Sequence, residues 1–147
     1  MNNNFEPGKT KARVLIVDNN PDFARRAHSL LQRTGRYLVW EETDPRRVLE
    51  TARAFKPDLV LLDLIMPELD GAEVAAQLEA DWTLHRVPIV FLTALITREE
   101  ARNVRRVEGH RLVAKPVNTA ELIRVVEDNL PASTEARVPN ECFSFSR

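Results

Sequence analysis

Four apolar segments of this 147-residue chain each run into a side chain that could take part in a reaction. Those side chains belong to Asp18, Asp63, Thr93 and Lys115. A carboxylate can attack phosphorus, and a hydroxyl or an ammonium group can stabilise the negative oxygens of the phosphoryl group being transferred. Carboxylate oxygens are also ligands that Mg²⁺ prefers in proteins. The four residue types together predict phosphoryl transfer at a magnesium site.

The segment around Asp63 indicates where such a site would lie. Residues 58–63 are too few for a helix and too apolar for a surface strand, which is typical of a strand buried inside a parallel sheet. Pro67 and the Asp70-Gly71 pair then turn the chain. An acid at the end of one strand is often only a turn former, and a single lysine is usually a solvated surface residue. A functional site is the better explanation only if several strand ends that carry such residues lie close together.

The surrounding elements are predicted to bring these residues together. Apolar runs predict strands at residues 13–18, 37–40, 58–63, 87–93 and 112–114. Helical spacing and end signals predict helices from Asn20-Pro21 to Gly35, from Asp44-Pro45 to Pro57, over about 72–80, over 97–107, and from Asn118 to Pro131. This alternation predicts an α/β fold with a doubly wound, five-stranded parallel sheet, in which the carboxyl ends of the strands share one edge.

Length and composition limit the classes of function. The chain suits one folded domain, expected over residues 11–130, with a flexible leader over 1–10 and a polar tail over 131–147. The formal net charge of −1 argues against direct binding to nucleic acid or to an anionic membrane, and no apolar run approaches the ~20 residues of a membrane span. The single cysteine, Cys142, excludes an intrachain disulfide. We therefore expect a cytoplasmic protein.

Four motifs of this chain resemble those of the receiver domains of two-component response regulators. They are Val14-Leu-Ile-Val-Asp18, Asp58-Leu-Val-Leu-Leu-Asp63-Leu-Ile-Met-Pro67 with Asp70-Gly71, Ile89-Val-Phe-Leu-Thr93-Ala94, and Lys115-Pro116. Each motif is weak alone, but their order and spacing over residues 11–130 are highly specific. The resemblance implies a flavodoxin-like (βα)5 fold with the strand order 2-1-3-4-5.

The resemblance also implies a role for each residue of the site. Asp63 would be the phosphate acceptor, Thr93 the switch hydroxyl, and Lys115 the lysine that contacts the phosphoryl group. Asp18, Asp63 and the backbone carbonyl of Ile65 would hold Mg²⁺ as the cofactor. These assignments match the phosphoryl chemistry that the residue types predict on their own.

Several positions depart from the family pattern or modify it. Asn19 stands where a second acid is usual; its amide oxygen can still ligate Mg²⁺, but with one negative charge fewer, which predicts weaker metal binding. Leu112 stands where a Phe or Tyr usually swings inward with the switch hydroxyl, and it offers a partner no ring or hydroxyl. Ile65 and Leu95 lie two residues beyond the acceptor and the switch hydroxyl. If both overhang the phosphoryl group they restrict water, which predicts a phosphoryl group of long lifetime.

By this resemblance the chain is a stand-alone receiver, phosphorylated on Asp63 by a histidine kinase or a histidine phosphotransfer protein. It would signal through an unknown downstream protein that binds its last two βα units, with homodimerisation as a further option. No conventional enzyme is expected, because the chain would catalyse at most its own phosphorylation and dephosphorylation. Two alternatives stay open. One is a phosphorylation-independent pseudo-receiver acting as an interaction module, which Asn19 and Leu112 favour; the other is an aspartate-nucleophile phosphatase, which would need an acid where Ile65 stands.

The other polar and aromatic residues have simpler interpretations. The arginine pairs at 25–26, 46–47 and 105–106 are spread over different predicted helices among acids, which indicates solvated surfaces. The three histidines, His28, His85 and His110, share no metal-ligand spacing and are interpreted as structural or exposed. Trp40 and Trp82 are expected to be packing residues.

Overall fold

The computed structural model of the chain describes residues 11–94, 96–115 and 118–131. Its strands are β1 (Ala12–Val17), β2 (Tyr37–Glu42), β3 (Leu59–Asp63), β4 (Ile89–Thr93), β5 (Arg106–Val107) and β6 (His110–Ala114). Its helices are α1 (Pro21–Gln32), α2 (Val48–Phe55, preceded by a 3-10 turn at Pro45–Arg47), α3 (Gly71–Ala80), α4 (Arg98–Val104) and α5 (Thr119–Asn129). The predicted leader, Leu95, Pro116 and the tail beyond Pro131 lie outside the described residues. None of the helices in the described ranges is long and apolar enough to cross a membrane.

The sheet has the spatial order β2-β1-β3-β4-β6-β5. The strands β2, β1, β3, β4 and β6 run parallel, so the predicted doubly wound sheet with the order 2-1-3-4-5 is confirmed. The short β5 is an addition that the sequence did not indicate. It pairs antiparallel with the start of β6, placing Arg106 opposite Arg111 at the edge of the sheet.

The central strands are buried on both faces, which explains their continuous apolar sequences. Along β1, Val14 and Ile16 join the core that packs beneath α1 and α5, while Leu15 and Val17 join the core beneath α2 and α3. None of these four side chains is more than 1% exposed. Helices therefore pack on both faces of the sheet, and this packing fixes the position of its carboxyl edge.

Polar caps fix where the helices begin, next to the carboxyl edge of the sheet. The side chains of Asn20, Asp70 and Asn118 each accept a hydrogen bond from a backbone N–H two or three residues ahead. At the start of α4, Thr97 and Glu100 satisfy each other's backbone N–H groups in a capping box. These caps set the length of the loops that carry the polar side chains of the edge.

The helix predicted over residues 97–107 is wrong at its C-terminal end. It stops at Val104 because Arg105 adopts φ 62° and ψ −46°, a backbone conformation that ends a helix. The chain then forms β5, turns through Glu108 and Gly109, which both have positive φ, and returns as β6. The Arg- and Glu-rich sequence with its narrow apolar edge lacks the apolar stripe that would extend the helix.

The expectation that both tryptophans pack inside is wrong for Trp82. This residue is the second one after α3 and is 83% exposed. Trp40 lies on the edge strand β2 and is 54% exposed, with its ring 6.3 Å from the ring of Phe55 between centroids. An edge strand is covered by fewer neighbours than a central one, so an apolar residue there can be half exposed.

Candidate functional site

The four predicted site residues lie at the same edge of the sheet. Asp63 and Thr93 are the last residues of β3 and β4, and Asp18 and Lys115 directly follow β1 and β6. Since these four strands are neighbours and parallel, residues up to 97 positions apart in sequence are brought together. The convergence expected from the sequence is confirmed by this topology.

Lys115 joins the two acids of the site. Its Nζ lies 2.8 Å from Oδ2 of Asp18 and 3.8 Å from Oδ2 of Asp63. The same Nζ lies 4.4 Å from the centroid of the Phe23 ring, on the first turn of α1. Nothing in the sequence indicated that the ring of Phe23, on the predicted first helix, would contact the lysine. The ammonium group is thus held between an aromatic face and two carboxylates.

Asp63 is a buried carboxylate whose charge is only partly compensated. Its residue is 6% exposed, and its Oδ1 accepts a hydrogen bond of 3.3 Å from the backbone N–H of Ile65. The pKa of Asp63 is raised from 3.8 to about 6, mainly by burial and secondly by repulsion from the neighbouring Asp18. The positive charge of Lys115 and the hydrogen bond from the Ile65 N–H lower the pKa and partly offset this rise. The carboxylate is therefore ionised at neutral pH and poorly neutralised, as a nucleophile for phosphorus requires.

Asp18 has an oxygen suited to a cation. Its residue is 1% exposed, and Oδ1 accepts a hydrogen bond of 2.9 Å from the backbone N–H of Asn20. Oδ2 is buried and accepts no hydrogen bond from the described residues, although Lys115 Nζ lies 2.8 Å away in an ion pair. No group of three His, Cys, Asp or Glu side chains that could hold a metal occurs in the described ranges. Two carboxylates fit a hard cation that takes its other oxygens from amides, carbonyls and water.

Thr93 completes the edge between the lysine and the acids. It is 2% exposed, and its backbone carbonyl accepts a hydrogen bond of 2.8 Å from the backbone N–H of Lys115. Thr93 and Lys115 are thus joined by a backbone hydrogen bond. A shift of one would be transmitted to the other.

A sequence profile of the response regulator receiver domain matches residues 14–127 of this chain. The chain belongs to the response regulator receiver family. Among curated proteins, the polar-differentiation response regulator DivK of Brucella anthropi is 26% identical over 117 residues, which cover 80% of this chain and 94% of DivK. This protein therefore contains a receiver domain of the two-component signalling type.

Solved structures agree with this assignment. The chemotaxis protein CheY4 of Vibrio cholerae superposes with a TM-score of 0.71 at 26% identity, covering 82% of this chain and all of the CheY4 chain. A response regulator from Desulfuromonas acetoxidans gives a TM-score of 0.68 at 20% identity, covering 80% of this chain and 94% of that one, which shows the shared fold alone. The receiver fold thus extends over nearly all of the described residues.

The positions at which this receiver departs from the family pattern have distinct environments. Asn19 is exposed beside the buried Asp18. Leu112 is 6% exposed and packs with Phe91, its register partner on β4, in the core beneath α2 and α3. Ile65, two residues beyond Asp63, is 51% exposed, and Leu95 lies outside the described residues, so the expected overhang of the site stays a prediction. The aliphatic side chain at 112 is therefore packed inward.

Gly71 is a positioning residue that the sequence showed only as part of a turn. A Cβ atom built on it would lie 2.4 Å from the backbone oxygen of Asp63 and 2.8 Å from Cα of Leu64. Its backbone N–H donates a hydrogen bond of 2.8 Å to the Leu64 carbonyl. Only glycine allows α3 to begin this close to the loop after β3, and that loop carries Ile65 past the acid.

The histidines stand apart from the site, as predicted. Nδ1 of His28 lies 2.9 Å from a carboxylate oxygen of Glu41. Nε2 of His110 contacts the carboxylate of Glu79. His85 is exposed and contacts a backbone carbonyl in the turn after α3. The contacts of His28 and His110 join neighbouring elements, and the contact of His85 lies within a single turn.

Proposed function

We propose that this receiver accepts a phosphoryl group on Asp63 from a histidine kinase or a histidine phosphotransfer protein. The observation that carries the proposal is the position of Lys115, whose ammonium group lies within 3.8 Å of carboxylate oxygens of both Asp18 and Asp63. A cation so placed can neutralise a phosphoryl group added to Asp63. A purely structural edge would have no reason to bury two carboxylates side by side.

The transfer is a displacement at phosphorus. A carboxylate oxygen of Asp63 attacks the phosphorus of a phosphohistidine, the new O–P bond forms, and the P–N bond breaks. The electron pair of the broken bond goes to the imidazole nitrogen, which takes a proton. Because the pKa of Asp63 is about 6, most of the acid is already in the reactive ionised form at neutral pH.

Receiver domains generally bind Mg²⁺, and the oxygens of this edge fit that ion. Asp18 and Asp63 would hold it, with the amide oxygen of Asn19 and the carbonyl of Ile65 as neutral ligands. When bound, the ion supplies positive charge to the phosphoryl oxygens. With only two carboxylates in the set, and with the ammonium group of Lys115 close to both of them, Mg²⁺ would bind weakly.

Phosphorylation would be reported by the elements that follow the site. The hydroxyl of Thr93 donates to a phosphoryl oxygen, and Lys115 follows because its backbone N–H is bonded to Thr93. The helices α4 and α5 are the next helices in the chain after Thr93 and Lys115, respectively. A downstream protein in the cytoplasm would read the change on this side of the receiver.

Intact-mass spectrometry tests the proposal. The protein is incubated with phosphoramidate, a small donor with a P–N bond, with and without Mg²⁺. We expect a gain of one phosphoryl group per chain that depends on Mg²⁺ and is lost in Asp63→Asn. Asp128→Asn, which changes an exposed acid of α5, is the matched control and should keep the gain.

A second candidate function is a phosphorylation-independent interaction module. It is favoured by Asn19, which stands where the family usually has an acid. It is also favoured by Leu112, which stands where the family usually has a mobile aromatic residue and is buried in the core. In that case no phosphoryl gain would be seen at any Mg²⁺ concentration, while the receiver would still bind its partner.

A further inference from the structure

An exposed aromatic groove lies along the edge strand β2, on the face of the sheet that α2 covers. Its apolar lining is Trp40 of β2 with Ala54 and Phe55 of α2, and its volume is about 570 Å³. The rings of Trp40 and Phe55 are 6.3 Å apart between centroids, and Trp40 is 54% exposed. Leu38, two positions earlier on the same face of β2, is 42% exposed. The described residues therefore leave apolar surface uncovered at this edge of the sheet.

The rest of the groove lining is polar and mainly acidic. Besides two threonines it consists of three acids and one arginine, which are Glu41, Glu42, Glu50 and Arg47. Glu50 lies 3.8 Å from Arg47, and both side chains are more than half exposed. Glu42 accepts hydrogen bonds from neutral donors, the Thr51 hydroxyl and the Asp44 backbone N–H, while Glu41 contacts His28 outside the groove. A segment that matches the groove must therefore combine aromatic side chains with a positive charge.

The C-terminal end of α5 lies beside the start of this strand. The hydroxyl of Tyr37 donates to the carboxylate of Glu127, and Nη1 of Arg36 lies 3.6 Å from the same carboxylate. Pro131, the last described residue, comes four positions after Glu127. The chain therefore continues into residues 132–147 from a point close to the strand that carries the groove.

The length of this continuation is sufficient to reach the groove. Phe143 is twelve residues beyond Pro131, and an extended chain of that length spans up to about 40 Å. The path along β2 from Tyr37 to Trp40 is only about 10 Å. A segment tethered in this way has an effective concentration at the groove in about the mM range, which favours docking within the chain over docking of a second copy.

The end of the continuation has the pattern that the groove requires. Residues 143–147 are Phe-Ser-Phe-Ser-Arg, an alternation of apolar and polar residues that is typical of a strand. In an extended backbone, Phe143, Phe145 and Arg147 project on one face. That face carries two aromatic rings followed by a positive charge, which complements the aromatic pair and the acids of the groove.

We propose that residues 143–147 dock in this groove of the same chain, with Phe143 and Phe145 covering Trp40 and Phe55 and with Arg147 among the acids. The docked segment closes an apolar edge of the sheet that would otherwise be open to association with other chains. The inference does not rest on phosphorylation of Asp63, because neither the groove nor the segment contains a residue of the proposed site.

Paramagnetic NMR tests the proposal, because the single cysteine of the chain, Cys142, directly precedes the docking segment. A nitroxide is attached to Cys142 of the full ¹⁵N-labelled chain, and amide intensities are compared before and after reduction of the nitroxide. We expect the amides of Trp40, Thr51 and Phe55 to lose most of their intensity while the nitroxide is oxidised. The amides of β6 should keep most of theirs, since β6 lies four strand positions, or roughly 19 Å, from β2.

Variants of the segment test which side chains dock. Phe143→Ser/Phe145→Ser should abolish the local broadening at the groove. The matched control Ser144→Ala/Ser146→Ala changes the opposite face of the extended segment and should retain the broadening. Arg147→Glu should lessen the broadening, because it places a negative charge among the acids of the groove.

Variants of the groove test the other side of the contact. Trp40→Ser should abolish the broadening of the Thr51 and Phe55 amides. The matched control Trp82→Ser removes a more exposed tryptophan outside the groove and should retain it. The dispersion of the amide spectrum shows whether each variant is folded, and the segment variants decide if Trp40→Ser is not.

Three results would overturn the proposal: uniform broadening over the domain, local broadening at another surface, or local broadening at the groove that survives in Phe143→Ser/Phe145→Ser. A mixture of ¹⁵N-labelled Cys142→Ser protein with nitroxide-labelled protein of natural isotope content separates docking within a chain from docking between chains. We expect the groove amides of the Cys142→Ser protein to keep their intensity. Their loss in the mixture would show that the segment of a second copy occupies the groove, and would contradict the proposal.

Discussion

The electrostatics of Asp63 decide both the stability and the reactivity of the site. The folded protein holds the proton of Asp63 more tightly than the unfolded chain, because burial and Asp18 raise its pKa from 3.8 to about 6. The folded state therefore binds more protons in this window, and the stability of the metal-free protein falls as the pH rises through it. At pH values well above 6, the full free-energy cost of burying the charged Asp63 carboxylate lowers the stability of the folded protein.

Asp63→Asn should accordingly stabilise the metal-free protein at neutral pH. The substitution removes the buried charge while Lys115 keeps Asp18 as its partner, so we expect the free energy of unfolding to rise by about 1–3 kcal/mol. Below pH 3.8 the effect should be small, since Asp63 is then protonated in both states. Urea unfolding in the presence of a chelator measures this, with Asp128→Asn as control. A loss of stability at neutral pH would show that the charge of Asp63 is well compensated.

Ile65 bears on how long a phosphoryl group survives. Half of this residue is exposed beside Asp63, where its side chain can exclude an attacking water. Ile65→Asn should therefore speed the loss of phosphate by several-fold, as followed by intact mass after removal of the donor. The control is Leu38→Asn, which changes an exposed apolar residue on β2. An unchanged rate in Ile65→Asn would contradict a shielding role.

At the scale of elements, the junction between β3 and α3 sets the position of the acceptor loop. Gly71→Ala would place a methyl group 2.4 Å from the Asp63 carbonyl, so the loop or the helix must move. We expect a loss of about 1–3 kcal/mol in the free energy of unfolding and slower phosphorylation. Both are measurable by urea unfolding and by intact mass.

Ala76→Gly is the natural comparison for Gly71→Ala, because it changes the same helix at an exposed position away from the loop. It should lower stability by roughly 1 kcal/mol without slowing phosphorylation. If both variants slowed phosphorylation equally, the close approach at Gly71 would not be what positions the loop.

The elements show why sequence reasoning succeeded for the core and failed at one edge. Continuous apolar runs such as that ending in Asp63, and caps such as Asn20 and Asn118, specify their strands and helices locally. The region after α4 has no such signal. There the positive φ of Arg105 and the pairing of a two-residue strand with β6 decide the structure, and these depend on contacts that a sequence pattern does not encode.

At the scale of the whole molecule, parallel topology turns separate strand ends into one site. This made Asp18, Asp63, Thr93 and Lys115 predictable from their types and from the order of the strands. The ring of Phe23 against Lys115 was not predictable, since it arises from how α1 packs on the sheet.

We propose that Asp63, and neither Asp18 nor any other acid, accepts the phosphoryl group. The most direct measurement is to trap the phosphorylated protein with borohydride, which reduces an acyl phosphate to an alcohol, and to map the modified residue by peptide mass spectrometry. We expect that the side chain of Asp63 alone is reduced, and only after treatment with the phosphodonor and Mg²⁺. Reduction at Asp18, or at no residue despite saturating donor and Mg²⁺, would contradict it.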